Sequence, residues 1–323
     1  MDCFLRIPTL FRRLKKKALH CRCRNKSSDK LNNKTLFDTD ENLNKSYVII
    51  HTISKKKRNR IHACKFNDPK QCNSICPKSK LIRCKIVDPS YIHLGIREIK
   101  ILRDLKYTIT PVDKLQRYLH HQIKNSKCEI FTEYIQGTDL FFHMKLQPIG
   151  SSHIRNEHHI LDYFKEMLVC VKQCHDAGIA HLDIKLENFI VVNNNPPELK
   201  LIDFEMARNI KHPHKTTQLS QALGTKIYNS PEVSNLRYHA NSDVWSLGVN
   251  LWAMITGNIP FLELKEGTDV FFPNKFHLTY KPLMTQNLWD LFTHIFVVDP
   301  IQRIPLSDIF THPFVKKIRR MSI

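Results

Sequence analysis

Apolar and polar positions along this chain change period several times, and each change marks an element. Tyr47 to Ile53 and Arg60 to Phe66 read as two paired strands, and Leu81 to Val87 as a third. A helix is predicted after Pro89, where Leu94, Glu98, Leu102 and Leu105 share one face at a period of about 3.6 residues. Glu98 interrupts that apolar stripe. A carboxylate facing the interior is costly unless paired, and Lys85 is the obvious partner; the alternative is a surface Glu at the helix edge. Ile160 to His175 reads as an amphipathic or buried helix ended by Gly178. Phe189 to Val192, a turn-rich stretch Asn193 to Pro197, and Leu199 to Ile202 together form a hairpin signal. Asp243 to Ile255 is strongly apolar and reads as a central buried helix. Asp243 near its start can accept amide hydrogen bonds.

The 323 residues suffice for a substantial core. Charge is lopsided: the net charge is +20, of which +16 falls in residues 1–90. Residues 1–44 look separate. Leu10 to Leu19 is basic with apolar punctuation, and Asn25 to Asn44 reads as linker. A solvated basic tail is one reading; nuclear targeting, or weak electrostatic contact with nucleic acid or an anionic membrane, is the other. Basic residues are not interleaved with aromatics in any recognisable module, which argues against nucleic-acid binding as the main function. No run approaches about 18 apolar residues, so no transmembrane segment is expected. Charge breaks the first apolar residues too early for a signal peptide. An intracellular, cytoplasmic protein with possible nuclear entry is expected, with its ten cysteines reduced. Cys64, Cys72, Cys76 and Cys84 leave a metal site as an alternative to free thiols, although their spacing is not a familiar knuckle. Cys170 and Cys174 read as core.

Five short segments narrow the chemistry. They are His181-Leu182-Asp183-Ile184-Lys185-Leu186-Glu187-Asn188; Leu201-Ile202-Asp203-Phe204-Glu205; Gly224-Thr225; Tyr228-Asn229-Ser230-Pro231-Glu232; and Asp243-Val244-Trp245-Ser246-Leu247-Gly248. In this order they resemble the catalytic loop, metal-binding loop, substrate loop and anchoring helix of the eukaryotic-type serine/threonine protein kinase family, over roughly residues 45 to 315. The resemblance implies an α+β, bilobal protein-kinase-like fold with a small β-rich N-lobe and a larger, mainly helical C-lobe. The expected divisions are a basic N-terminal segment 1–44, an N-lobe and hinge 45–135, a C-lobe 136–315 and a basic C-terminal tail 316–323. ATP and Mg2+ are the implied cofactors and proteins the implied substrates.

Phosphoryl transfer asks a protein mainly for positioning and charge neutralisation. The resemblance makes Asp183 the catalytic base and Lys185 the cation for the transferring phosphate. Asn188 and Asp203 offer hard oxygen ligands to magnesium, and the hairpin between them would return both to one end of two strands. Lys85 and Glu98 match the family's phosphate-holding ion pair. Thr132 would control access behind the adenine, Glu133 and Ile135 would present backbone groups to the base, Asp139 would reach the ribose, and Ile190 would floor the adenine. Glu232 and Arg303 resemble a buried structural ion pair. Lys185 and Thr225 favour serine/threonine over tyrosine substrates.

Three departures weigh against this. The stretch Ser54 to Asn59 stands where the family has a glycine-rich loop and contains no glycine, so backbone approach to phosphates is more restricted. Glu205 stands where the family has glycine and adds negative charge near the metal ligands. Leu182 replaces a common arginine, so a phosphate on the following loop loses its usual cationic partner. The first two support an alternative, a pseudokinase scaffold without phosphotransfer. The divergent loop, compact length and lysine- and asparagine-rich composition also resemble kinases encoded by large DNA viruses.

Overall fold

A computed structural model describes residues 47–67, 81–108, 113–124, 127–147, 149, 154–210, 212, 214–260 and 278–316. All belong to the unit that begins at Lys45. The terminal segments 1–44 and 317–323, and Cys72 and Cys76, lie outside the described residues.

The N-terminal half is a five-stranded antiparallel sheet in the order β1-β2-β3-β5-β4. Its strands are β1 (Tyr47–Lys55), β2 (Asn59–Phe66), β3 (Ile82–Val87), β4 (Tyr118–Lys124) and β5 (Lys127–Glu133). The first hairpin is tighter than its charge suggests. Lys55 pairs with Arg60, and the Lys56 amide donates to the Asn59 carbonyl at 2.9 Å. The turn thus shrinks to Lys56, Lys57 and Arg58, because side chains that point to solvent do not obstruct the backbone ladder. β3 is central, and four of its six residues in succession are buried. Helix α1 (Ile92–Lys106) packs across β4 and β5 and buries Leu94, Glu98, Leu102 and Leu105, the stripe read from the sequence. Cys64 and Cys84 are free thiols in an apolar cluster with Ile82 and Phe131.

The C-terminal half is mainly helical. After β6 (Thr138–Asp139) come α2 (Leu140–Leu146) and α3 (Glu157–Asp176). Asp139 caps α2 and Asn156 caps α3 by accepting amide hydrogen bonds. Gly178, at φ +71°, turns the chain out of α3 in the left-handed region that costs glycine least. Cys170 and Cys174 are fully buried in α3, and burial raises both thiol pKa values. β7 (Ile179–Ala180) leads into the hairpin β8 (Phe189–Asn194) and β9 (Pro197–Leu201), which completes a three-stranded sheet with β6. β10 (Arg208–Asn209) pairs with β7. β11 (Thr217–Gln218) pairs with β12 (Arg237–Tyr238), with the short helix α4 (Pro231–Ser234) between them.

Helix α5 (Asn241–Thr256) is the axis of this half and is buried on nearly every side. Its Trp245 and Trp252 meet Phe296 and Phe292 edge to face, at 5.1 and 5.2 Å between ring centroids. Phe292 belongs to α6 (Gln286–Ile295). Among the described residues, no helix is long and apolar enough to cross a membrane.

Arg303 fastens the lower end of this core. Its guanidinium grips Glu232 with two hydrogen bonds of 2.8 and 2.9 Å, donates to the carbonyls of Val297 and Asn241, and lies 5.1 Å from the Trp245 ring centroid. Ser242 donates a further bond to Glu232 at 2.7 Å. Burial alone would raise the Glu232 carboxyl, but Arg303 and Ser242 outweigh it and hold its pKa below the ordinary 4.5. A depressed carboxylate stabilises the fold above its unfolded pKa, and that contribution is lost as pH falls through the folded value. Glu232→Gln leaves Arg303 buried without its counter-charge and should cost about 3–5 kcal/mol at pH 7. Urea unfolding followed at pH 7 and again below pH 4.5 should show the gap to the parent closing on acidification; a gap independent of pH would remove the ion-pair assignment.

Candidate active site

The cleft between the sheet and the helical half collects nearly all the residues singled out by motif. From the sheet side comes Lys85 on β3, whose side chain is about 1% exposed. Its ammonium donates to Glu98 Oε2 at 2.7 Å and Asp203 Oδ1 at 3.0 Å, and lies 2.9 Å from Glu205 Oε2. Burial works against this charge, but Asp203, Glu98 and Glu205 together outweigh it and the Lys85 pKa is raised. Burial pushes the Glu98 carboxyl upward despite Lys85. For Asp203, burial opposes ionisation, yet Lys85, Arg83 and Lys56 overcome it and hold the carboxyl well below the usual carboxylate range. Asp203 therefore remains anionic at any physiological pH.

From the helical side comes the loop after β7. Asp183 Oδ2 accepts from Lys185 Nζ at 2.5 Å and from Asn188 Nδ2 at 3.1 Å, and its Oδ1 accepts from Thr225 Oγ1 at 2.9 Å. Lys185 also donates to Thr225 Oγ1 at 2.9 Å. Asn188 Nδ2 donates to the Asp183 carbonyl at 2.8 Å, which spends the amide nitrogen and leaves the amide oxygen free to accept a hydrogen bond or ligate a cation. The Ile202 amide donates to the Asn188 carbonyl at 2.9 Å, so the β8–β9 hairpin does bring Asn188 and Asp203 to one end.

Two residues of these loops have left-handed backbone, Leu182 at φ 60° and Asp203 at φ 68°. Both cost an L-residue about 1–2 kcal/mol. Asp243 holds the first: its carboxylate accepts the His181 and Leu182 amides at 2.8 Å each, and His175 Nε2 lies 2.9 Å away. His181 steadies the second, with Nε2 at 3.2 Å from the Ile202 carbonyl and its ring 5.1 Å from that of buried Phe204. Gly224, at φ +68°, sits so close to the Leu182 carbonyl that a Cβ would approach it to 2.7 Å.

The connection from β5 to β6 carries the remaining expected residues. Thr132 is fully buried, and its hydroxyl has no hydrogen-bond partner among the described residues. The Glu133 amide donates to the Arg117 carbonyl at 2.9 Å and its carboxylate accepts from Lys200 at 3.0 Å. Ile135 and Ile190 are half-buried, and Ile190 on β8 pairs with Asp139. The Asp139 carboxylate accepts from the Phe142 amide at 2.7 Å as it caps α2.

Sequence reasoning missed three features of this cleft. Glu205, expected to add negative charge in place of a glycine, also reaches Lys85, accepts from Asn59 Nδ2 at 2.9 Å and lies 3.6 Å from Arg58 Nη1. Asn250 donates to the Ile184 carbonyl at 3.0 Å; a lone amide in an apolar helix was the available signal. Leu182 does more than lack an arginine's charge. It packs with Ala180, Leu219, Leu223, Val233 and Tyr238. Cations nonetheless remain near the loop. Arg237 donates to the Thr216 hydroxyl at 2.8 Å. Burial, with the Arg97 charge beside it, lowers the Arg208 pKa to about 10.

Residues 55–315 match the family described as the protein kinase domain. The chain is 32% identical over 202 residues to the probable serine/threonine-protein kinase HSL1 of Saccharomyces cerevisiae, covering 61% of this chain and 13% of that protein. It is 30% identical over 227 residues to the probable serine/threonine-protein kinase MARK-B of Dictyostelium discoideum, covering 68% and 30% respectively. It is 32% identical over 208 residues to the serine/threonine-protein kinase SAPK5 of Oryza sativa subsp. japonica, covering 59% and 52%. The aligned region spans about half or less of each of these relatives.

Asp243→Asn tests the anchoring of the loop that carries Asp183. An amide can accept from only one of the two backbone N–H groups, so one buried donor is orphaned at a cost of about 1–3 kcal/mol. Chemical denaturation should show that loss, and amide exchange at His181 and Leu182 should speed up. Unchanged stability and exchange would mean the loop is held by other contacts.

Proposed function

Because the chain belongs to the protein kinase family, we propose that it is an active serine/threonine kinase, transferring the γ-phosphoryl group of ATP to protein hydroxyls. The observation that carries this reading is the convergence of five polar groups in one cleft: Lys85 paired with Glu98 and Asp203, and Asp183 joined to Asn188. A scaffold without chemistry has no need to assemble them.

The residues present fit the implied ligands. Asn188 and Asp203 supply hard oxygen donors, the kind magnesium takes, and the orphaned Thr132 hydroxyl in the buried wall of the cleft is the kind of group a bound base could satisfy. Magnesium, when bound, neutralises phosphate charge; Asn188 and Asp203 are the side chains that would hold it. Asp183 would accept the substrate hydroxyl proton at the carboxylate now bonded to Thr225 and Lys185. Lys185 would neutralise the transferred group, and Lys85, fixed by Glu98, the other phosphates. Glu133 and Ile135 would offer backbone groups to the base over Ile190, and Asp139, already fixed as a helix cap, would face the ribose. A substrate serine or threonine is favoured because Thr225 and Lys185 both bond Asp183. The contacts of Glu205 with Lys85 favour a second reading, a pseudokinase, in which that carboxylate permanently occupies the phosphate position.

Transfer assays separate the two. Asp183→Asn and Asp203→Ala should fold as the parent does, with turnover of a generic protein substrate falling by about 10²–10⁴-fold. Near-parental turnover in either would remove the role given to that residue, and no turnover in the parent would favour the pseudokinase. Lys85→Met and Glu98→Gln should each weaken activity, with the double variant losing less than the two separate losses combined. Strict additivity would mean the pair does not act as a unit.

A further inference from the structure

Lys85 is the cation that a nucleotide phosphate would need, and Glu205 already sits on it at 2.9 Å. The same carboxylate reaches Arg58 at 3.6 Å and accepts from Asn59 at 2.9 Å, both in the β1–β2 hairpin. One side chain thus joins two cationic elements, a strand lysine and the β1–β2 turn. Glu98, Asp203 and Glu205 hold carboxylate oxygens within 4.8 Å of one another, and all three compete for the single Lys85 ammonium, at 2.7, 3.0 and 2.9 Å. The Glu205 side chain is 13% exposed and Arg58 50%, so the outer half of the contact is open to exchange while the inner half is shielded from solvent screening.

We propose that Glu205 is a built-in competitor for the phosphate position, which sets nucleotide affinity because a polyphosphate must displace its carboxylate from Lys85 and Arg58. This rests on the reading of the cleft as a nucleotide site. It gives Glu205 a role opposite to that of a clamp: a clamp would hold the turn down to assist binding, whereas a competitor must be moved out of the way. The two differ in sign and are separable.

The test is equilibrium binding of ATP and of adenosine by calorimetry to the parent chain, Glu205→Gln and Glu205→Gly, each checked for folding by thermal unfolding. Glutamine keeps the size and the acceptor for Asn59 but removes the charge. ATP should bind both variants at least about tenfold more tightly than the parent, a change of about 1.4 kcal/mol. Adenosine, which has no phosphate to compete, should bind all three alike. Because competition is electrostatic, the advantage of Glu205→Gln should shrink as salt rises. ATP affinity unchanged or weakened in folded variants would overturn the proposal in favour of a clamp. Loss of folding in both variants would overturn it by showing a structural role. Failure of the parent and both variants to bind either ligand would instead overturn the underlying nucleotide-site reading.

Discussion

A single buried carboxylate organises the helical half. Asp243 accepts the His181 and Leu182 amides, and these two bonds hold Leu182 in a left-handed conformation it would otherwise leave. The strain is about 1–2 kcal/mol, and hydrogen bonds to a charged group contribute about 1.5–3 kcal/mol each, so the balance favours the strained loop. The same face of α5 continues the work. Ser246 donates to the Tyr228 carbonyl and Asn250 to the Ile184 carbonyl. Positions 243, 246 and 250 are spaced as neighbours on one helix face. A helix that is otherwise apolar thereby positions the loop carrying Asp183 and the segment that follows Thr225.

Two kinds of force hold the two loops of the cleft. The loop carrying Asp203 is held by charge, with its carboxylate on Lys85 and Glu205 bridging to the β1–β2 turn. The segment around Leu223 is held by apolar packing against Leu182, Val233 and Tyr238. The first kind weakens with salt and with a competing anion; the second does not. The chain has no glycine in the β1–β2 turn or at position 205, and an electrostatic bridge through Glu205 joins that turn to Lys85.

Much of the architecture was legible from the residues. The β8–β9 hairpin, the α1 stripe with Glu98 in it, the buried run of α5 and the stop at Gly178 are local patterns, and local patterns survive into structure when they agree with the core. The pairing of Glu98 with Lys85 could also be argued, since an acid in an apolar stripe must find a partner. What local pattern could not supply was the destination of side chains whose partners lie far along the chain. Asn59 and Glu205 are 146 residues apart, and nothing near either position indicates the other.

The sequence by itself determined the order of elements and the polar residues available to the cleft, because period and residue chemistry are properties of short segments. Tertiary structure alone decided how one lysine is shared among Glu98, Asp203 and Glu205, that Leu182 becomes an apolar anchor, and that Asn250 supports the Ile184 carbonyl. Each depends on which long-range contact wins inside a close-packed interior, and that competition is settled only when all the competing groups are brought together.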